Sequence, residues 1–180
     1  SLNEADTLII EPGVTVKFAG SYELSVSGVL LAQGEEGDSV KFTSSNLNPS
    51  PGDWQGINFL SSSSNNSIIS YCTVEYAASS YFTPGAIRIA NGGVTIENSA
   101  IRFSNDSGIS IVSNAYGEFI IVDNTLSYNA KGIHTETFND VLITNNTINN
   151  NQQVGIYCKR SPDIINNKIF NNGSYGIQCD

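Results

Sequence analysis

The residues best suited to proton chemistry cluster around His134, the only histidine in the chain, with Lys131, Glu136, Lys159, Arg160 and Asp163 in its neighbourhood. Abstraction of a proton next to a carboxylate needs a base of displaced pKa and a cation to neutralise the acid. His134, Arg88, Lys131 and Lys159 have the right types for those roles. Against this, Lys159 stands close enough to Glu136 for an ordinary surface ion pair to explain both. Asp53, Glu97, Asp106 and Asp123 are scattered, and none forms the facing carboxylate pair that glycoside hydrolysis uses. No nucleophile, base and orienting group fall into one set. Cys72, Cys158 and Cys179 form no CxxC cluster, and no third ligand stands beside the last two, so no metal and no cofactor is expected.

A second constellation is positional. Asn58, Arg88, Ser110, His134, Tyr157 and Gln178 recur at one place in a repeat that Val141 to Ile177 states twice. Ile143-Thr144-Asn145-Asn146-Thr147-Ile148, then Asn151, then Gly155-Ile156-Tyr157-Cys158 is answered by Ile164-Ile165-Asn166-Asn167-Lys168-Ile169, Asn172 and Gly176-Ile177-Gln178-Cys179. Asn146 to Asn167 and Gly155 to Gly176 are both 21 residues. A fixed period in this range marks a solenoid whose turns cannot bury their apolar faces alone.

The same frame extends upstream. Ile69, Ile96, Ile121, Ile143 and Ile164 open successive turns; Cys72, Ser99, Asn124, Asn146 and Asn167 follow three positions later, and Val74, Ile101, Leu126, Ile148 and Ile169 two further on. A glycine at 56, 85, 108, 132, 155 and 176 begins each closing strand, giving turns of 21 to 29 residues. The first third alternates apolar and polar residues in short strands punctuated by Pro12-Gly13 and Gly34, which period-two patterning assigns to one buried face. Loops are expected at 46–53, 61–67 and 77–84.

Stacked turns convert equivalent positions into ladders. Ile57/Phe59, Ile87/Ile89, Ile109/Ile111, Ile133/Thr135, Ile156/Cys158 and Ile177/Cys179 are expected to face inward, with the residue between each pair facing out. Asn124, Asn146 and Asn167 are read as an inward amide ladder, and Asn129, Asn151 and Asn172 as corner residues in the left-handed region. The closing-strand glycines are expected to supply positive φ or close approach. Cys158 and Cys179 share one inward position on successive turns. That spacing admits a disulfide, but in-register strands disfavour its torsion, so two buried thiols acting as small core hydrophobes are expected. Asn65, Asn105, Asn145 and Asn172 begin N-x-S/T triplets, which so Asn-rich a chain produces by chance, and Asn145 is assigned to a strand.

The 180 residues carry 8 Lys+Arg against 17 Asp+Glu, a net charge of −9. That balance excludes nucleic acid and anionic membrane as main partners, since both require a basic face. No apolar run approaches the ~20 residues of a membrane span. One domain is read over 1–180, and the chain stops in mid-turn at Gly176-Ile177-Gln178-Cys179-Asp180. It is therefore expected to be a fragment of a longer solenoid, or to associate end to end through its last turn.

The pattern I-x-x-N-x-I-x-x-N-x-x-x-G-I resembles the repeat of the right-handed parallel β-helix, pectate-lyase-like superfamily. Ile10 to Phe18, Gly28 to Gly34 and Phe42 to Ile57 resemble segments of its secreted and cell-surface members. The resemblance implies an all-β, single-stranded right-handed parallel β-helix of about seven turns. It does not fix an activity, because that superfamily includes lyases, hydrolases, epimerases, adhesins and surface proteins. The expected function is a non-catalytic extracellular or cell-surface module that binds polysaccharide or a surface protein through the outward row Asn58, Arg88, Ser110, His134, Tyr157 and Gln178. The alternative is a lyase or epimerase acting on acidic glycans, with His134, Arg88, Lys131 and Lys159 as candidates. The plain alternative for the row is a solvated sheet face with no ligand.

Overall fold

A computed structural model describes residues 1–60, 65–78 and 85–180. Among the described residues there is no helix; the chain winds through three seven-stranded parallel sheets, one strand of each sheet per turn. The opening sheet contains Thr7–Ile10, Val29–Gln33, Ser67–Ser70, Val94–Glu97, Phe119–Val122, Val141–Thr144 and Asp163–Ile165. The middle sheet contains Thr15–Phe18, Val40–Ser44, Cys72–Glu75, Ala100–Arg102, Thr125–Ser127, Thr147–Asn149 and Lys168–Phe170. The closing sheet contains Glu23–Val26, Gly56–Phe59, Gly85–Ile89, Ser107–Ile111, Lys131–Thr135, Ile156–Cys158 and Ile177–Cys179. Of the expected loops, residues 61–64 and 79–84 lie outside the described residues, and strand resumes at Ser67.

The register reproduces the sequence ladders. Ile69, Ile96, Ile121, Ile143 and Ile164 stack in the opening sheet, and Val74, Ile101, Leu126, Ile148 and Ile169 in the middle one. Most of these side chains are sealed from solvent in one continuous core, each burial stabilising the fold by about 1.5–3 kcal/mol. Trp54 closes the core under the 46–53 loop, stacked on Phe18 at 4.0 Å and donating Nε1–H to the Glu75 carbonyl at 2.9 Å.

Two amide ladders, not one, satisfy the corners that flank the middle sheet. Asn124, Asn146 and Asn167 each donate Nδ2–H to a carbonyl one turn back, on Ile96, Ile121 and Ile143, at 2.8 Å. Their Oδ1 atoms accept from the preceding turn's backbone N–H, and Ser99 continues the column by accepting from Cys72 N at 2.9 Å. Asn129, Asn151 and Asn172 do the same at the next corner, donating to Ile101, Leu126 and Ile148 at 3.1 Å.

The second trio is therefore not the left-handed set that the sequence reading assigned. Positive φ falls one residue earlier, on Tyr76, Phe103, Tyr128, Asn150 and Asn171, and likewise on Tyr71, Asn98, Asp123, Asn145 and Asn166 at the first corner. Asn145 accordingly lies in a turn, not in a strand. Bulky residues pay for left-handed backbone, and here stacking offsets the cost: Tyr76, Phe103 and Tyr128 form a ring ladder with centroids 5.3 and 5.4 Å apart. Of the closing-strand glycines only Gly56 has positive φ, +111°. At Gly132 and Gly155 a Cβ would collide with the next turn's glycine carbonyl, so close approach is what excludes a side chain.

Cys158 and Cys179 are joined as a disulfide, contrary to the expected pair of thiols. The parallel register places them directly opposite, with Cα atoms 4.6 Å apart, inside the bridging range.

Candidate functional site

The outward residues of the closing sheet form a single file. Ser25, Asn58, Arg88, Ser110, His134, Tyr157 and Gln178 are neighbours in register across all seven strands. Two residues further along each turn runs a parallel file, Leu60, Ala90, Val112, Glu136, Lys159 and Asp180, fixed by rung-to-rung backbone bonds just past the strand ends. The period of two puts both files on one face, apolar beside the early turns and charged beside the late ones.

This face is recessed rather than freely solvated. Ser110 is 1% exposed and Asn58 7%, although both point away from the core. Asn58 donates its side-chain N–H to the Glu23 carboxylate, whose other oxygen accepts from Ser25 Oγ at 2.5 Å. Arg88 is half-buried; its Nε is sealed and unpartnered, and no carboxylate lies within ion-pair reach of its guanidinium among the described residues.

His134 sits at the charged end with its side chain 13% exposed, and its Nε2 lies 3.0 Å from Glu136 Oε1. Lys159 Nζ approaches the same oxygen at 2.6 Å. Burial pulls the imidazole below its ordinary range, the Glu136 hydrogen bond opposing and the Lys131 charge reinforcing it. The Lys159 ammonium is the main cause that holds the Glu136 carboxyl below the usual range. An ionised Glu136 can only accept, so Nε2 carries the proton and Nδ1 keeps a lone pair. Tyr157 meets the His134 ring edge-on at 4.8 Å and donates its hydroxyl to Asp180 Oδ2 at 2.7 Å, which raises the phenol and lowers the acid.

Lys131 is held outside this trio, 3.6 Å from Asp106. Of the four residues considered for catalysis, the structure thus brings His134 and Lys159 together through Glu136 and leaves Lys131 and Arg88 apart. Among the described residues, no group of three or more His, Cys, Asp or Glu side chains is placed to hold a metal ion.

Aromatic residues at the corner beyond the closing sheet escaped the sequence reading. Tyr116 is 70% exposed and Phe138 74%, with the Arg160 guanidinium 3.8 Å over the Phe138 ring. Thr137 and Asn139 both bond to the Ala115 carbonyl at 2.8 Å, pinning the turn from which Phe138 projects. An aromatic residue standing alone in each polar turn was the available signal. The Glu136–His134 link was also legible, since residues two apart in a strand share a face.

Residues 27–180 match the family described as right-handed β-helix region, which together with the parallel solenoid places this chain in the right-handed β-helix family. Comparison with curated proteins and with solved structures yields no match.

Proposed function

We propose that this chain is a non-catalytic extracellular or cell-surface module that binds a polysaccharide along the outer face of its closing sheet. One observation carries the reading: that face is a recessed polar file with exposed aromatics beyond it, and its carboxylates are already engaged by the chain's own donors. Glu23 is held by Asn58 and Ser25, and Glu136 by His134 and Lys159. Polar side chains fixed in this way suit hydroxyl recognition, and aromatic rings suit stacking on a sugar face. The Cys158–Cys179 disulfide favours an oxidising compartment, in keeping with an extracellular location.

The test is titration with a panel of neutral and acidic oligosaccharides, comparing wild type with Tyr157→Ala and Arg88→Gln. Each substitution is expected to weaken binding by about tenfold, the equivalent of ~1.4 kcal/mol. Unchanged affinity in both variants, or no binding to any glycan, overturns the reading.

A second reading, a lyase or epimerase acting on acidic glycans, is favoured by one feature. Burial favours the neutral form of His134, and a proton held on Nε2 toward Glu136 leaves Nδ1 as the basic nitrogen that a general base needs. Incubation with uronate polymers separates the two. Unsaturated product absorbing in the ultraviolet marks a lyase, and exchange of the C5 proton with solvent without chain cleavage marks an epimerase; either activity, lost in His134→Ala, establishes the enzyme reading in place of binding.

A further inference from the structure

The opening sheet has a different outer face. Its outward file is Ile9, Leu31, Ile68, Thr95, Ile120 and Leu142, ending at Asp163, each in register with the next. Six of these seven neighbours lack any charge, and the run from Ile9 to Leu142 spans about 24 Å at the strand spacing. Ile9 is 63% exposed, and the following five are half-buried. A second outward file adds Val122, Thr144 and Ile165.

Charge is distributed unevenly around the solenoid. Glu75 on the middle sheet is paired with Lys41 and Arg102, and Glu136 beside the closing sheet with Lys159. None of the chain's 8 Lys and Arg lies in a strand of the opening sheet. Glu97, Glu118, Asp140 and Asp163 border its aliphatic file, and none of their carboxylates has an ion pair or hydrogen bond among the described residues. Two shallow hollows follow that border. One is lined by Thr95, Ile120 and Glu118, the other by Leu142, Asp140 and Asp163. The first sets one aliphatic side chain, Ile120, beside one unpaired carboxylate in an otherwise polar lining; the second sets Leu142 beside Asp140 and Asp163.

We infer that the outer face of the opening sheet docks a protein partner whose surface carries Lys or Arg side chains alternating with aliphatic ones. A long basic side chain lays its methylene stem on apolar surface and keeps its charged head in a polar setting, which is what each hollow offers. Complementary charge then fixes the register and speeds the encounter, while the aliphatic file supplies the buried area. A second copy of this chain is disfavoured as the occupant, because two such faces would bring unpaired carboxylates together. The inference is independent of glycan binding, which uses another sheet.

Fluorescence anisotropy with short synthetic peptides tests it. The probe alternates Arg and Leu; the controls alternate Arg with Ser and Glu with Leu. The Arg/Leu peptide is expected to bind at least about tenfold tighter than either control. Ile120→Ser/Leu142→Ser should erase its advantage over Arg/Ser. Glu118→Gln/Asp140→Asn/Asp163→Asn, which preserves shape and leaves the core untouched, should weaken Arg/Leu binding and flatten its salt dependence. If the first variant does not fold, the second decides alone. Equal binding of Arg/Ser, or unchanged binding in the acid-neutralised variant, overturns the inference. So does self-association of the wild type that Ile120→Ser/Leu142→Ser abolishes, which would give the face to a second copy.

Discussion

His134 is the only side chain here whose ordinary pKa, about 6.5, lies between the carboxylate and thiol ranges. Burial depresses it in the folded state, so the unfolded chain takes up the proton first as pH falls. Stability should therefore be flat between about pH 7 and 8 and decline as pH drops through 6.5. A second decline below about pH 4.5 belongs to Glu75 and Glu136. Burial alone would raise Glu75, but Lys41, Thr43 and Arg102 more than offset it; Lys159 chiefly lowers Glu136. Chemical denaturation from pH 8 to about 3 checks this: His134→Gln should lose the upper step and keep the lower one, and an upper step that survives refutes the assignment. Its neighbour Thr135 faces the core with a buried hydroxyl that has no partner. Thr135→Val, nearly isosteric, should raise the unfolding free energy by about 1 kcal/mol, measurable in the same titration.

At the scale of the element, the amide ladders explain why so polar a residue recurs inside a solenoid. Asn146 alone donates to the Ile121 and Thr144 carbonyls and accepts from the Asn124 backbone and side chain. Asn146→Ala strands these groups in a buried corner and should cost about 3 kcal/mol, read as a lower denaturation midpoint; a cost near zero would mean that the ladder is passive. The ladder of Asn124, Asn146 and Asn167 was legible because its spacing is regular and its neighbours are aliphatic. The left-handed positions were not: Tyr76, Phe103 and Tyr128 carry no propensity for positive φ and stack between turns, while Asn145, Asn150, Asn166 and Asn171 stand beside a second Asn, so residue type alone does not choose between the two. The ring contacts exist only once the turns are stacked. The expected thiol pair failed for a related reason: strand torsions argue against bridging, whereas the actual separation of Cys158 and Cys179 permits it.

For the whole molecule, seven turns give three faces of different character: a recessed polar file, a middle face neutralised by Glu75 with Lys41 and Arg102, and an aliphatic face with unpaired acids. The outward row of the closing sheet could be assembled from sequence, since the glycine before each strand fixes its register. Its recession could not, because what shields Ser110 depends on packing between turns. The cysteines give a global check. In denaturant without reductant, alkylation should find one free thiol, Cys72, which in the native state is buried with its pKa pushed up to about 12 and should not label. Three thiols without reductant would contradict the disulfide.

Hydrogen exchange with a bound oligosaccharide tests the functional reading most directly, using the glycan that binds tightest in titration. Added protection is expected in segments 56–60, 85–90, 107–112, 131–136 and 156–159, which carry the central part of the two outward files of the closing sheet, with no sugar consumed. Protection confined to the opening or middle sheet, or the appearance of unsaturated product during the exchange, would contradict binding along this face.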